Sequence, residues 1–401
     1  MDQHLSAVRA ARGAVNPRYH LLDAWRGIAC LMVVIHHAGY ALHWSDASTH
    51  GGSALRWWIV YVVNRFSLGV PLFFVISGYC ILASVDALRR KGGSPWTFLG
   101  RRFWRIYPPY WTALLFFVAL VAVLDALGQY NLHHGRFAVA LDSPGVLDWP
   151  RWVGNITLTE TWRPHVWGPE RDIYTGIAWS LCFEEQFYFL CFLVLLVAPK
   201  RVYPALLAIT AATAALRLGA WWTGQLGAMR GVFPLLWHQF AIGLAVYYRL
   251  NVAETVRERR AVDLGLLALL LVGLVSLERE TVTAAAFGLV LIALKPWDQK
   301  ADALAWLQPF RACGRRCYSI YLIHLPVVVV GNLGLYQLGL TGFWARTLVM
   351  IPLVSAVSVA VSWGFFNLVE THFLNPPAVR RRQPRPALDR PLAGEAVGLQ
   401  A

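Results

Sequence analysis

Long apolar runs recur along the whole chain and constrain its fold more than any other feature. Most of them approach the ~20 residues that a helix needs to cross the hydrocarbon core of a bilayer. The runs are 22–42, 58–85, 106–127, 176–198, 202–222, 232–250, 262–277, 281–294, 318–338 and 343–369. Only 14% of the 401 residues are charged, whereas a soluble domain has about 25%. We therefore predict an all-α polytopic membrane protein with about ten transmembrane helices.

The basic residues predict the orientation of these helices. They cluster before the first run and after each even-numbered run, so every cluster would lie on the same side of the membrane. The clusters are Arg9, Arg12 and Arg18; Arg89, Arg90, Lys91, Arg101 and Arg102; Lys200 and Arg201; Arg257, Arg259 and Arg260; Lys295, Lys300, Arg311, Arg315 and Arg316; and Arg380 to Arg382. The positive-inside rule makes that side the cytoplasm, with both termini inside. Attraction to anionic membrane lipid and to a cytoplasmic anionic ligand accounts for the net charge of +14 without a nucleic-acid partner.

The chain divides into one membrane domain with two short cytoplasmic ends. Residues 1–20 form an N-terminal segment that is not a cleavable signal, because the apolar run after it is too long and carries charges. Residues 21–374 form the transmembrane domain, and the Pro- and Arg-rich residues 375–401 are predicted to be a disordered tail. The six cysteines are interpreted as packing residues. Cys313 and Cys317 lack the two further ligands of a zinc site, so no metal is expected.

The largest predicted extracytoplasmic segment, 128–175, combines tryptophans with carboxylates and histidines. These residues are His133, His134, Asp142, Asp148, Trp149, Trp152, Trp162, His165 and Trp167. Indole rings beside carboxylates commonly hold sugars, because the rings cover apolar sugar faces and the carboxylates bind hydroxyls. An aromatic belt at the membrane interface explains the same tryptophans. Both interpretations stay open.

The first apolar run, LLDAWRGIACLMVVIHH, carries the ionisable residues Asp23, Arg26, His36 and His37. A charge near the bilayer centre costs about 2.5–3.5 kcal/mol on insertion scales. Eleven residues return an α-helix to within roughly 20° of its start, which puts Arg26 and His37 on one face about 16 Å apart and points His36 elsewhere. Asp23, one turn before Arg26, is placed to pair with it. A snorkelling arginine or a bonded histidine explains each residue alone, but the shared stripe favours a functional site.

Three further motifs place polar residues in or beside the apolar runs. In FLGRRFWRIYPPYW, Arg102 and Arg105 lie one turn apart at the cytoplasmic entry, where two guanidiniums suit phosphate groups and also suit simple anchoring. In GVPLFFVISGYC, Ser77 and Gly78 are small residues typical of helix contacts. In YSIYLIHLP, His324 is a second intramembrane imidazole, for which a structural hydrogen bond and a direct role are both open.

The fourth run contains adjacent glutamates in IAWSLCFEEQFYFL. Helical spacing puts Ser180, Glu184 and Tyr188 on one stripe near the outer interface, with Glu185 alongside. Packing alone does not explain two neighbouring carboxylates in an apolar helix. We therefore include this stripe among the candidate functional residues.

These five stretches, in this order and spacing, resemble the membrane-embedded acyltransferase family 3, whose members O-acylate bacterial surface glycans, oligosaccharides and some antibiotics. The resemblance covers about residues 20–370 of the chain. It implies a ten-helix fold in the bacterial cytoplasmic (inner) membrane, an acyl-CoA co-substrate, usually acetyl-CoA, no bound cofactor, and a hydroxyl acceptor. The family's motifs fall on Arg26 and His37, on Arg102 and Arg105 (R-x-x-R), and on Trp179, Leu181 and Glu184 (W-x-L-x-x-E).

The chain also departs from the family's pattern. His36 stands where a bulky apolar residue is usual, and Thr371-His372 stands where similar chains often have Arg-Pro after the glutamate that matches Glu370. No fused extracytoplasmic hydrolase-like domain is present in the sequence. The membrane domain itself would then handle the acceptor.

The resemblance and the residues together predict the chemistry. Acyl transfer from a thioester to a hydroxyl needs a base, and an imidazole titrates in the suitable range. The predicted catalytic residues are His37, Glu184 and Arg26, with Glu184 orienting the acceptor or His37. The predicted ligands of the CoA phosphates are Arg102, Arg105 and Arg26, and the predicted supporting residues are Asp23, Ser77, Ser180, Tyr188 and His324. Direct transfer and a covalent intermediate on Ser77 or Cys30 are both open.

Two other functional classes use similar residues. A transporter or flippase also places His, Arg and Glu inside the membrane, although this chain has no internal repeat. A non-catalytic partner in polysaccharide export would tolerate the loss of His37. For the acyltransferase, the acceptor stays open among a glycan, a lipid-linked sugar, a macrolide and a peptide, as do the length of the acyl group and the oligomeric state.

Overall fold

The computed structural model describes residues 19–39, 53–128, 143–340 and 342–374, and every regular element in these ranges is a helix. The longer helices are α1 (Leu22–Ala38), α2 (Ala54–Arg65), α3 (Gly69–Arg90), α4 (Pro95–Ala126), α5 (Trp149–Thr157), α6 (Trp179–Val197), α7 (Val202–Trp222), α8 (Trp237–Asn251), α9 (Val256–Val275), α10 (Arg279–Leu294), α11 (Gln308–Arg315), α12 (Cys317–Gln337) and α13 (Ile351–Phe365). Shorter helical segments are Phe66–Leu68, Arg163–His165, Leu226–Met229, Phe233–Leu235, Lys295–Trp297, Asp298–Asp302, Ala305–Leu307, Phe343–Ala345, Arg346–Met350, Phe366–Glu370 and Thr371–Phe373. The all-α prediction is confirmed for the described residues. The predictions for 1–18 and 375–401, for the end of the first run, and for His133, His134 and Asp142 lie outside them.

Seven stretches of the described residues are long and apolar enough to cross a membrane. They are Ala54–Arg90, Pro95–Ala126, Trp179–Val197, Val202–Trp222, Arg279–Asp302, Cys317–Gln337 and Phe343–Phe373. The other three predicted runs correspond to α1 and α8, which have 17 and 15 residues, and to α9, which begins with several charged residues. The chain is thus a multi-pass helical protein, while the count of ten and the sides of the termini stay predictions.

The helices divide into an interior set and a peripheral set. α1, α3, α6, α8 and α12 bury many of their side chains against each other. α7 buries only Val202, Leu206 and Thr213, and α9 buries only Leu266 and Gly273, so most of their leucines face outward. An apolar outer surface of this kind suits lipid tails. Most polar residues of the candidate site lie in the interior set, and Arg102 and Arg105 lie on α4.

Glycines let two pairs of helices cross at very short distance. A Cβ atom at Gly78 of α3 would lie 2.1 Å from the carbonyl oxygen of Phe240 in α8. A Cβ atom at Gly27 of α1 would lie 1.9 Å from the carbonyl oxygen of Phe310 in α11, and Gly314 faces α1 in the same way. Small residues at such crossings are the usual means of close helix packing in membranes. Gly78 is therefore a helix-contact residue, as its motif predicts.

The start of α1 is held by the segment that follows α10. Asp298 is 2% exposed, and its carboxylate accepts hydrogen bonds from the backbone N–H groups of His20 (3.0 Å) and Leu21 (2.9 Å). Lys295 binds the same carboxylate at 3.0 Å. A carboxylate at a helix N-terminus satisfies free backbone donors and opposes the helix dipole. This contact fixes the depth of α1, and with it the position of the residues one turn further on.

The second half of the predicted extracytoplasmic segment packs into the helix bundle. Side chains of α4 donate hydrogen bonds to the last carbonyl groups of α5: Tyr107 to Thr157 (3.0 Å), Tyr110 to Asn155 (2.8 Å) and Trp111 to Ile156 (2.9 Å). These donors lie about 18 Å or more along α4 from its start at Pro95. α5 is thus a short helix that lies alongside the middle of α4 rather than projecting away from the bundle.

A buried ion pair holds the loop after α5. Glu160 and Arg163 are 0% and 1% exposed, and two N–H groups of the guanidinium donate to the two carboxylate oxygens at 2.8 Å each. Arg163 also donates to the carbonyl oxygen of Trp167 at 2.9 Å. The hydrogen bonds to Glu160 raise the pKa of the Arg163 guanidinium. A charged pair this well satisfied makes the loop a rigid support for Trp167.

Candidate functional site

The ionisable residues near the start of α1 form the predicted pair. Arg26 donates to Asp23 at 2.8 Å, one turn away on the same helix. The other end of the guanidinium contacts the sulfur of Cys80 in α3 at 2.9 Å. The carboxylate lowers the cost of burying the charge, and the thiol contact joins α1 to α3.

One face of α3 carries a stripe of small polar residues. Ser77, Cys80 and Ser84 follow each other at helical spacing, and each contacts a different neighbouring helix. Ser77 donates to α6, Cys80 contacts α1, and Ser84 accepts a hydrogen bond from α4 at 2.9 Å. Sequence reasoning singled out only Ser77. The spacing of the three residues was the signal that would have identified Cys80 and Ser84.

Glu184 of α6 is bound by two hydroxyl groups. One carboxylate oxygen accepts from the hydroxyls of both Ser77 and Tyr188. The guanidinium of Arg102 lies over the Tyr188 ring, 5.3 Å from its centroid. The predicted stripe of Glu184 and Tyr188 is therefore present, but Glu184 is hydrogen-bonded to Ser77 of α3 and Tyr188 lies against Arg102, so neither is bound to His37. Arg26, Asp23, Ser77, Cys80, Ser84, Arg102, Glu184 and Tyr188 are called the arginine cluster below.

Ser180 belongs to a different set of contacts from Glu184. Its hydroxyl lies 3.1 Å from the hydroxyl of Tyr321 in α12, which donates in turn to the carbonyl oxygen of Ile177 at 2.6 Å. The neighbouring Glu185 accepts from Tyr107 of α4 at 3.4 Å. The helical stripe places Ser180 and Glu184 on one side of α6, but the neighbouring helices give them separate partners.

The two arginines of the R-x-x-R motif differ in burial. Arg102 is partly buried against α3 and α6, whereas Arg105 is exposed, within electrostatic range of Arg102 and of Glu370. Glu370 is 2% exposed and accepts from the backbone N–H of Ser319 at 3.1 Å and from its hydroxyl. Two positive charges with different exposure suit an extended anion that enters from the surface. The structural contacts of Glu370 with α12 were not foreseen from the sequence.

The two intramembrane histidines singled out separately lie in contact. His37 Nδ1 of α1 lies 3.2 Å from His324 Nε2 of α12, and the ring centroids are 5.0 Å apart. His36 turns instead toward α2, where its Nδ1 lies 3.3 Å from the carbonyl oxygen of Val63. The different directions of His36 and His37 agree with the helical geometry. The pairing of His37 with His324 was not predicted.

The surrounding carbonyl groups determine the tautomers of the pair. His324 Nδ1 lies 2.8 Å from the carbonyl oxygen of Tyr321 and 3.0 Å from that of Ile320. Carbonyl oxygens only accept, so Nδ1 carries the proton and Nε2 of a neutral His324 is an acceptor. His37 Nδ1 then faces two acceptors, His324 Nε2 and the carbonyl oxygen of Val33 at 2.9 Å, and also carries a proton. In the neutral His37 the lone pair is therefore on Nε2.

The arginine cluster and the histidine pair lie at two levels of the same interior. Arg26 and His37 are eleven residues apart on α1, about 16 Å along its axis. On α12, Tyr321 lies one turn before His324, with ring centroids 6.4 Å apart, and Cys317 lies one turn earlier still, within electrostatic range of Arg26. The arrangement offers cations at one end and an imidazole at the other. It is suited to a long anionic ligand whose reactive end is remote from its charges.

The described tryptophans of the predicted extracytoplasmic segment include one exposed pair. Trp149 and Trp167 are 70% and 37% exposed, with ring centroids 5.1 Å apart. Trp152 instead packs against Tyr174 at 5.0 Å, and His165 Nε2 lies 2.7 Å from the carbonyl oxygen of Arg230. A paired indole surface is compatible with both a sugar platform and an interfacial belt.

Comparisons with known proteins identify the family of this chain. The acyltransferase domain model of acyltransferase family 3 matches residues 19–366. BcsY of Komagataeibacter xylinus, named as a membrane-bound transacylase, is 29% identical over 350 residues, which cover 84% of this chain and 80% of BcsY. Protein 2 in picA locus of Rhizobium radiobacter is 32% identical over 112 residues, 28% of this chain and 50% of that protein. No solved structure matches the chain significantly. With most of its length inside the family model, the chain belongs to acyltransferase family 3 and is a multi-pass membrane acyltransferase.

Proposed function

We propose that this protein is an O-acyltransferase of the bacterial inner membrane. It moves an acyl group, most simply acetyl, from cytoplasmic acyl-CoA to a hydroxyl group of a glycan or of a glycosylated or secondary-metabolite acceptor. His37 is the general base. Acyl-CoA is a co-substrate, and the reaction needs no resident cofactor.

One observation carries this proposal: His37 Nδ1 faces two acceptors, which assigns the lone pair of the neutral imidazole to Nε2. Nδ1 is held by the carbonyl oxygen of Val33 and by His324, at 2.9 and 3.2 Å. A base must keep an unprotonated nitrogen in a fixed direction to accept a hydroxyl proton, and positioned bases of this kind contribute about 10²- to 10⁴-fold to a rate.

The reaction balances with His37 alone as the proton carrier. The acceptor hydroxyl loses its proton to His37 Nε2 as its oxygen bonds to the acyl carbon. The C–S bond of the thioester then breaks, and the CoA thiolate takes the proton from Nε2. The products are the acyl ester and CoA, and His37 returns to its starting state.

The arginine cluster and the neighbouring Arg105 support the choice of donor. CoA carries several phosphate charges, and Arg102, Arg105 and Arg26 supply guanidiniums suited to phosphates. About 16 Å separate Arg26 from His37 along α1, a span that the extended pantetheine arm of CoA covers in large part. Because Glu184 is bound to Ser77 and Tyr188 beside Arg102, we assign it to positioning the arginine cluster and the donor.

The test compares two neighbouring histidines. Cells that express wild type, His37→Ala or His36→Ala are analysed by mass spectrometry of envelope glycans and small metabolites, with membrane abundance measured in parallel. We expect cells with wild type to show a mass increase equal to one acyl group. Cells with His37→Ala should lack this increase, and cells with His36→Ala should show most of it. Equal acylation by His37→Ala and wild type would refute the base assignment, and its absence in wild-type cells across all fractions would refute the proposed function.

A further inference from the structure

We propose that His324 is a positioning residue for His37, so that the two imidazoles act as a hydrogen-bonded pair during acyl transfer. This inference rests on the proposed function, because it concerns how the base His37 is held and stabilised. It adds a residue from α12 to a site whose predicted catalytic groups come from α1 and α6.

The position of His324 is fixed by its own helix. Its side chain is 0% exposed, and its Nδ1–H group is held between the carbonyl oxygens of Ile320 and Tyr321 at 3.0 and 2.8 Å. The ring therefore cannot turn over without losing these bonds inside the membrane. Its Nε2 lone pair points at His37 Nδ1, 3.2 Å away.

This hydrogen bond strengthens when the reaction needs it. While His37 is neutral, its Nδ1–H donates to a neutral imidazole. When the acceptor hydroxyl gives its proton to His37 Nε2, His37 becomes a cation and the same bond becomes charge-assisted. The proton later leaves from Nε2 to the CoA sulfur, so His324 neither gains nor loses a proton.

The membrane environment explains why the partner of His37 is an imidazole rather than a carboxylate. In serine hydrolases a carboxylate holds the imidazole and balances the charge that forms on it. A permanent carboxylate charge at this depth would cost about 2.5–3.5 kcal/mol on insertion scales before any reaction occurred. A neutral imidazole provides the same acceptor lone pair without a resident charge. His324 thus satisfies the geometric need of the base at a lower cost of burial.

The competing explanation is that His324 only links α1 to α12 structurally. Two amide variants of His324 distinguish this explanation from a positioning role. In His324→Gln the amide oxygen reaches the place of Nε2 and still accepts from His37. In His324→Asn the shorter amide can bond the carbonyl groups of its own helix but does not reach His37. Both variants are polar and similar in size, so they make a matched pair for folding.

The assay uses purified protein in liposomes, acetyl-CoA, and envelope glycan from cells that lack the protein. We expect His324→Asn to lower kcat by about 10- to 150-fold, the range for a lost hydrogen bond to a charged group, with little change in the KM for acetyl-CoA. His324→Gln should keep most of the wild-type kcat, and both variants should melt near the wild-type temperature.

Three outcomes would overturn the inference. In the first, His324→Asn keeps the wild-type kcat. In the second, both variants are folded and lose kcat equally. In the third, both variants melt at a lower temperature, and this loss of stability accounts for the lower kcat of His324→Asn. His37→Ala is measured beside them. An inactive His37→Ala with a fully active His324→Asn refutes the pair and leaves the base assignment intact. An active His37→Ala refutes the base assignment on which the pair rests, and a wild type without acyl transfer refutes the proposed function itself.

Discussion

Replacement of Gly27 by alanine tests whether the packing of α11 positions the arginine cluster. Gly27 follows Arg26 on α1 and lies against the backbone of α11. A Cβ atom there would be 1.9 Å from the carbonyl oxygen of Phe310, whereas real Cβ contacts essentially never fall below 3.0 Å. The helices must therefore separate by about 1.1 Å. Because the obstructing atom belongs to a backbone, no side-chain rotation relieves the clash.

The expected magnitude follows from two opposing terms. Overpacking of this kind costs about 1–3 kcal/mol, and replacing glycine by alanine within a helix recovers about 0.5–1 kcal/mol. We therefore expect Gly27→Ala to lower the free energy of unfolding by up to about 2.5 kcal/mol, with a central value of about 1 kcal/mol. The displacement also moves Arg26, and a shift of about 1 Å in a group that positions a substrate can cost roughly 10²-fold in rate.

The measurements are the melting temperature of the purified protein in detergent and the rate of acetyl transfer from acetyl-CoA. Gly334→Ala is the matched control, because Gly334 lies within helix α12 and a Cβ atom there meets nothing within 4 Å. It should melt at or slightly above the wild-type temperature with an unchanged rate. If Gly27→Ala behaves like Gly334→Ala in both measurements, the close contact of α1 and α11 does not hold Arg26 in place.

Three further predictions concern the donor, the membrane sides and the loop after α5. Arg102→Ala and Arg105→Ala should raise the KM for acyl-CoA more than that for the acceptor, and a rise confined to the acceptor would assign the arginines to another site. In a protein without its native cysteines, Gly145→Cys should react with a membrane-impermeant thiol reagent on intact cells, and Ser94→Cys should not. The reverse pattern would contradict the proposal that the donor enters from the cytoplasm. Glu160→Ala should lower the free energy of unfolding by about 3–5 kcal/mol, because it leaves a buried guanidinium without its carboxylate; an unchanged unfolding midpoint in denaturant would contradict a structural role for the pair.

Much of the helical architecture follows from local patterns in the sequence. Apolar runs of membrane-spanning length predict helices, and a repeat of 3.6 residues per turn places side chains on one face without any knowledge of neighbours. The pair of Asp23 and Arg26, the shared face of Arg26 and His37, and the divergent direction of His36 are all relations within a single helix. The structure contains the pair and the divergent direction of His36, and both Arg26 and His37 approach α12, at Cys317 and at His324.

Relations between helices required the tertiary structure. Helical periodicity defines which face of α12 carries His324, but it does not state which helix that face meets or at what depth. The meeting of His37 with His324 depends on how far α1 slides along its neighbours, which Asp298 limits at its start and Gly27 limits at its crossing with α11. Ser180 also shows that helical periodicity does not identify the partner helix, because it shares a face of α6 with Glu184 and yet lies within hydrogen-bond distance of a different helix.

The sequence by itself determined most of the long helices, the basic clusters and the faces on which the candidate residues lie, because these depend on the spacing of neighbouring residues. The tertiary structure alone decided the partners of those residues: Cys80 for Arg26, Ser77 for Glu184 and His324 for His37. The physical reason is that the register and rotation of packed helices are set by backbone contacts far apart in the chain. In lipid, moreover, apolar side chains on different faces have similar surroundings, so hydropathy does not distinguish the face that meets another helix from the face that meets the membrane.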